Sequence, residues 1–307
     1  MNEIEIKDLI FSYGVLCGKR NSQKQRLKFL RVLKKQFDLL KFQVQIQKKS
    51  ISFMKMDSKN IYNMYIGDIK NAKIIITSYF DTPIKSLWPS KQLAFETGVS
   101  KANVYINMLL SLLFIGSSVG IIYFLLLPQL NNYGFISLWG FLTICIGLIS
   151  FFVIRQIRGG IINRYNMVRN TSSIVSMIQL ASKLIEAERK DIAFAFIDDG
   201  TGSELGLKML NEYIGKNNST RVYLDSVSND KNVQCFTNKD LKEVFDKENI
   251  HPLLTTKKRY GDILISSGIV IDNNIEIKNA NTSKDKILEV SYIDNIVIKL
   301  NELIKVL

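Results

Sequence analysis

Residues 73–83 read Lys-Ile-Ile-Ile-Thr-Ser-Tyr-Phe-Asp-Thr-Pro, a β-branched apolar run that breaks into polar residues and a proline. A short, uninterrupted apolar run of this kind predicts a strand buried on both faces, ending at Phe80. The polar residues Asp81 and Thr82 then stand at its carboxyl end. Further along, the same theme returns. Residues 191–197 (DIAFAFI) and 220–227 (TRVYLDSV) predict strands, as does 262–271. Helical spacing falls between them at 172–189, 203–214 and 239–248, and a closing helix spans 290–306. Alternation of strands and helices predicts an α/β fold with a mixed, largely parallel central sheet covered on both faces. In such sheets ligands sit beyond the carboxyl ends of the strands.

Before the first strand, residues 21–40 place Leu27, Leu30, Leu33, Phe37 and Leu40 at steps of three and four, with a strongly basic outer face. That face suits either an anionic lipid surface or plain solvent. After the strand the composition changes abruptly. Residues 104–127 (VYINMLLSLLFIGSSVGIIYFLLL) and 134–154 carry no charge, and each is long enough for a helix to cross hydrocarbon. Lys91 and Lys101 precede the first run, Arg155, Arg158 and Arg164 follow the second, and the intervening PQLNNY is uncharged. Positive charge collects on the cytoplasmic side of membranes. The expectation is a multi-pass cell-membrane protein whose hairpin has both termini and the folded domain in the cytoplasm. The hairpin, residues 91–160, is thus an insertion between residues 1–90 and 161–307 of one domain.

The 307 residues carry a net charge of +13, with 41 Lys and Arg against 28 Asp and Glu. The positive charge is spread over helix faces without interleaved aromatics, which excludes a nucleic-acid partner. Cys17, Cys145 and Cys235 are scattered, which fits a reducing compartment rather than a disulfide framework. Residues 1–10 are acidic and mixed, with no signal-peptide pattern. The chain has one histidine, His251, expected at the surface of the polar loop 249–252. There is no phosphate-loop motif and no C-x-x-C. The one G-x-S-x-G match, Gly116 to Gly120, lies inside the first apolar run, where no strand-to-helix turn exists to expose a nucleophile.

Polar residues at four strand ends carry a resemblance: Tyr79-Phe80-Asp81-Thr82-Pro83, Arg169-Asn170-Thr171-Ser172, Asp225-Ser226, and Asn281-Thr282-Ser283-Lys284-Asp285. In order and spacing they resemble the co-catalytic di-zinc aminopeptidases, the metallopeptidase superfamily that also holds glutaminyl cyclases and the transferrin-receptor ectodomain. Gly18-Lys19-Arg20 before a helix and Asn60-Ile61-Tyr62 before the first strand match as well. The resemblance implies a zinc-aminopeptidase-like (phosphorylase/hydrolase-like) three-layer α/β fold, with the transmembrane helical hairpin inserted.

The chemistry that the family needs departs. Where its motif has metal histidines, this chain has Tyr79 and Asn281; where it has the bridging aspartate, Arg169. The paired glutamates fall in Ile197-Asp198-Asp199-Gly200-Thr201, with Asp199 and Thr201 equally alignable. Only the aspartate at Asp225 matches unambiguously. Asp81, Thr82, Asn170, Ser172, Thr282 and Asp285 match scaffold positions. A permanent guanidinium at ~4 Å from a dication would repel it by roughly 8 kcal/mol at an effective dielectric near 20. The expectation is a site with no metal and no cofactor. Arg169 either neutralises Asp81 and Asp225 in an ion-pair network or points to solvent. Tyr79, Asp81 and Asp225 are the candidates for any remaining acid–base chemistry; the wider cleft takes in Asn170, Asp199, Asn281 and Asp285.

Three functions follow. The first is a catalytically inactive, metal-free aminopeptidase-like membrane protein that binds a peptide or a protein partner, an intact paralogue included. The second is a subunit of a membrane peptide-processing or peptide-modifying complex, as in bacteriocin-like peptide maturation, using metal-free acid–base residues. The third is an active zinc aminopeptidase.

Overall fold

The computed structural model describes residues 3–54, 57–82, 92–96, 101–159, 163–164, 166–215, 218–271, 274–277, 280, 282 and 284–307. Two compact units emerge. One gathers Met1–Pro83, Lys91–Gly98 and Asn163–Leu307; the other gathers Ile84–Ser90 and Val99–Ile162.

In the first unit the helices are α1 (Glu3–Ile10), α2 (Gln23–Leu39), α6 (Ser172–Lys183), α7 (Leu205–Ile214) and α8 (Val290–Val306). Among the described residues an eight-stranded sheet runs in the order β1-β2-β4-β3-β5-β8-β6-β7. Its strands are β1 (Val44–Met54), β2 (Asp57–Ile66), β3 (Ile74–Tyr79), β4 (Ile192–Ile197), β5 (Thr220–Leu224), β6 (Val233–Thr237), β7 (Ile250–His251) and β8 (Ile263–Ser267). A two-stranded ribbon pairs β9 (Ile269–Ile271) with β10 (Asn274–Glu276). The central strands β4, β3, β5 and β8 are parallel, whereas β1–β2, β2–β4 and β6–β8 are antiparallel. Every residue of β3 and β4 is buried, as continuous apolar runs in a doubly covered sheet require. Pairing Tyr79 with Ile197, and Leu224 with Ile265, brings the carboxyl ends of four strands to one edge.

One face of the sheet packs on α1, α2, α6 and α8 through Phe29, Leu33, Phe37, Ile174, Ile178 and Ile296. The other face meets α7 and the segment around Phe95 and Tyr260. Helix α2 starts at a capping box, Ser22 accepting from the Gln25 amide while the Gln25 side chain accepts from the Ser22 amide. Phe29 stacks on Phe80 at 5.1 Å, tying α2 to the end of β3.

Several boundaries differ from the sequence expectation. The helix expected over 239–248 is a set of turns ending in the 3₁₀ turn Lys247–Asn249. Leu241, Val244 and Phe245 have helical spacing, but one turn satisfies it: Leu241 O accepts both the Val244 and Phe245 amides. The strand expected over 262–271 breaks at Gly268, whose φ of +149° turns the chain into β9. His251 is not in a loop. It forms the edge strand β7, half-buried against Phe236, with Nε2 2.8 Å from Gln234 Oε1.

The second unit is helical: α3 (Lys101–Ile121), a π-helical turn at Ile122–Leu126, α4 (Leu127–Tyr133) and α5 (Leu138–Gly159). Residues 128–133, expected as the connecting loop, continue the helix. The π turn re-phases the ladder just before Pro128, which occupies a first-turn position of α4 where its missing N–H is not needed. The chain turns instead at Gly134, φ +76°. The stretch Val104–Tyr133 is long and apolar enough to cross a membrane, with a mean hydropathy of 2.3 over its 18-residue apolar window; the apolar part of α5, Leu138–Ile154, is shorter. The two helices pack on each other, and Ser150 Oγ donates to Ser118 Oγ at 3.0 Å.

Candidate functional site

Helix α6 begins with a π-helical turn, Met167–Thr171, and that irregular turn carries Arg169 and Asn170. Asp285 holds it in place: Oδ1 accepts the Val168 amide at 2.7 Å and Oδ2 the Arg169 amide at 3.3 Å. A carboxylate at exposed helix amides is the favourable arrangement for the helix dipole. Burial nonetheless pushes the Asp285 carboxyl up to about 6, against the pull of those amides.

The turn delivers Arg169 to the ends of β3 and β5. Its Nε donates to Tyr79 Oη at 2.7 Å and lies 3.8 Å from Asp225 Oδ1. The Tyr79 hydroxyl has one proton to give, and both Asp225 Oδ1 (3.0 Å) and Arg169 O (3.1 Å) are in reach. Arg169 Nη1 donates to Leu93 O at 3.2 Å and Nη2 to Glu96 O at 3.1 Å. Asp225 Oδ2 accepts the Phe95 amide at 2.8 Å. Tyr79, Arg169 and Asp225 are 2%, 5% and 1% exposed, so this is a buried ion pair with its polar atoms engaged. Burial alone would lower the Arg169 pKa, but Asp225 and Tyr79 outweigh it and hold the guanidinium above its ordinary range. Burial likewise pushes the Tyr79 phenol well up, so it stays protonated.

Asp81 does not join Arg169. Its Oδ1 accepts the Gly200 amide at 2.7 Å, and Oδ2 accepts from the Thr201 amide at 3.1 Å and from the Thr201 hydroxyl. The turn after β4 reaches it because position 200 is glycine: a Cβ there would lie 2.2 Å from the Tyr79 Cβ. Burial raises the Asp81 pKa. Asp199 turns away, with Oδ1 bound by Lys59 and Oδ2 by the Ser203 hydroxyl at 2.6 Å. Burial pushes its carboxyl up, but Lys59 and Ser203 outweigh that and hold it below the ordinary range. Asp198 lies beneath: Oδ2 accepts the Tyr62 amide at 3.1 Å and sits 3.1 Å from Arg26 Nε. Burial first, and the Asp81 charge next, push Asp198 up to about 7. Asn170 binds the strand end directly, donating to Tyr79 O at 3.0 Å and Asp81 O at 3.1 Å. Ser172 closes the π turn by donating to Val168 O at 2.6 Å. Asn281 lies outside the described residues.

Two features had little sequence signal. Arg20 is fully buried, donating Nη2 to Asn170 Oδ1 at 2.5 Å and stacking on Phe29 at 4.7 Å. It has no carboxylate within ion-pair distance among the described residues, and burial lowers its pKa to about 10. The segment Leu93–Glu96 was the other; it falls within the 91–160 stretch expected as the hairpin insertion, yet it packs on the site. Asp199, Ser226 and Phe95 all hold φ between +56° and +59°, and these strained residues converge here, as they tend to at functional sites.

These residues do not suit the zinc ions that the resemblance calls for. Among the described residues no three His, Cys, Asp or Glu side chains converge to hold a metal. A protonated guanidinium occupies the space beside Asp225, and the Tyr79 phenol is held protonated, so neither can serve as a ligand.

No protein-family model matches the chain, and no curated protein sequence matches it. Solved structures do. A glutaminyl cyclase from Tannerella forsythia superposes with a TM-score of 0.57 at 10% identity, over 97% of this chain and 95% of that one. A zinc-dependent exopeptidase from Parabacteroides distasonis gives 0.56 at 10% identity, over 97% and 94%. A leucine aminopeptidase precursor from Bacteroides thetaiotaomicron gives 0.55 at 10% identity, over 98% and 94%. With its mixed eight-stranded sheet, the chain has the fold of the zinc-dependent exopeptidases and glutaminyl cyclases.

Proposed function

We propose that this chain is a metal-free member of that fold, anchored in the membrane by its helical hairpin and acting as a peptide- or protein-binding subunit. The observation that carries it is the Arg169 guanidinium, buried at the strand ends and bound to Tyr79 and Asp225 where hydrolysis on this fold calls for metal ligands. The same geometry weighs against metal-free proton transfer. With Leu93–Glu96 in place, Tyr79 and Asp225 are buried with their polar atoms engaged, so neither presents a free atom to a substrate.

The membrane reading rests on the second unit. Over Val104–Tyr133 only 6% of the apolar window is buried within the protein, so its large side chains, Leu109, Leu113, Phe124 and Leu125 among them, face outward. That much unburied apolar surface suits lipid. The charges at residues 101, 155, 158 and 164 favour a cytoplasmic α/β unit.

Affinity purification of the full chain from detergent-solubilised membranes, with mass spectrometry of what it retains, tests the proposal. A peptide or protein retained at near-stoichiometric amounts is expected. A chain that purifies alone and hydrolyses aminoacyl substrates with zinc would refute it.

A further inference from the structure

The short segment Leu93–Glu96 satisfies its backbone in an unusual way. Two of its carbonyls, Leu93 O and Glu96 O, are taken by the two ends of one guanidinium, Arg169, at 3.2 and 3.1 Å. Its Phe95 amide goes to a carboxylate, Asp225, at 2.8 Å. Charged side chains aimed at main-chain donors and acceptors recognise a peptide backbone irrespective of its sequence. Selectivity comes from one side chain. The Phe95 ring, 3% exposed, sits among Tyr223, Phe236 and Tyr260 at centroid distances of 6.3, 6.1 and 6.5 Å. On its other edge the segment adds to the β9–β10 ribbon, Ala94 N donating to Ile275 O at 2.9 Å and Ile277 N to Gln92 O at 2.8 Å. Edge pairing with a pocket for one residue is how added strands are bound on sheets.

We propose that Leu93–Glu96 is a built-in occupant of a peptide site: displaced, it leaves Arg169, Asp225 and the aromatic pocket to bind an extended peptide carrying an aromatic residue. This deepens the peptide-binding reading above and rests on it. A tethered occupant competes at a high effective concentration, so the intact chain binds free peptide weakly until the tether is loosened. The strained φ of +59° at Phe95 gives the strap a conformation that an untethered peptide need not adopt.

The test uses the full chain in dodecyl maltoside and a fluorescein-labelled peptide copying residues 92–97, Gln-Leu-Ala-Phe-Glu-Thr. Binding is read by fluorescence anisotropy for the parent protein and for Phe95→Ala. The variant is expected to bind the peptide at least tenfold more tightly than the parent does. A peptide with alanine in place of its phenylalanine is expected to lose that gain. If Phe95→Ala does not fold, Phe95→Leu is assayed in the same way, with a gain of about threefold expected from the loosened ring packing. Unchanged affinity in a folded variant whose strap amides exchange faster with solvent would overturn the inference. If unrelated peptides then bind parent and variant equally, peptide binding stands and the strap reading alone falls. If no peptide binds either protein, both fall.

Discussion

Replacing Arg169 by methionine would strip a buried carboxylate of its ion-pair partner. Asp225 is 1% exposed and 3.8 Å from the guanidinium, a separation worth about 4 kcal/mol at an effective dielectric near 20. Loss of one partner of such a pair typically costs about 3–5 kcal/mol, and here two carbonyls, Leu93 O and Glu96 O, lose their donor as well. Asp225→Asn keeps the shape but leaves the buried guanidinium unpaired and puts an amide NH2 against either the Tyr79 hydroxyl or the Phe95 N–H, so about 3–5 kcal/mol is expected here too. The double variant removes both charges. Its loss should fall short of the sum by about 2 kcal/mol or more, because no unpaired charge remains. Urea unfolding in mild detergent, read by proteolysis of the α/β unit, gives the three values. Losses that add within about 0.5 kcal/mol would refute a direct Arg169–Asp225 coupling.

Further expectations concern the other carboxylate and the turn above it. The Asp198 carboxyl is pushed from the ordinary range to about 7 in the folded chain, so the native state holds its proton where the unfolded state has lost it. That contribution is fully present below about pH 4 and is lost as pH rises towards 7, so the parent should lose stability relative to Asp198→Asn across that window. Melting both proteins from pH 4.5 to 7.5 checks the sign, and a parent that gains on the variant as pH rises would contradict it. Gly200→Ala places a Cβ against Tyr79 and should destabilise by about 1–3 kcal/mol; a melting temperature unchanged from the parent would show that the turn does not pack there.

The core of the fold was legible because β3 and β4 are unbroken apolar runs, and such runs have few alternatives to a buried parallel strand. The hairpin of β1 and β2 was not. Its sequence is rich in Gln, Lys and Ser, and its strand character comes from pairing, Val44 with Ile66 through Ser52 with Ser58, which no local pattern records. Strand β6 was missed for a similar reason: five residues pair antiparallel with β8 after a run of turns. At the site the structure brings Tyr79, Arg169, Asn170 and Asp225 together as neighbours, because each ends or follows a strand or opens a helix at the same sheet edge. Asp81 went to Gly200 and Thr201 instead of Arg169, since two backbone amides of the β4 turn reach it directly. Arg20 was legible only as the end of Gly18-Lys19-Arg20 before a helix, and the Leu93–Glu96 segment not at all, because their roles exist only through partners far along the chain: Asn170 for one, Arg169 and Asp225 for the other.

Elemental analysis of the full chain, purified without chelator and with zinc supplied during expression, bears most directly on the guanidinium at the strand ends. Well under one zinc per chain is expected for the parent protein, and no stable uptake on titration. One or two equivalents of tightly held zinc, released together when Asp225 is changed to alanine, would contradict it.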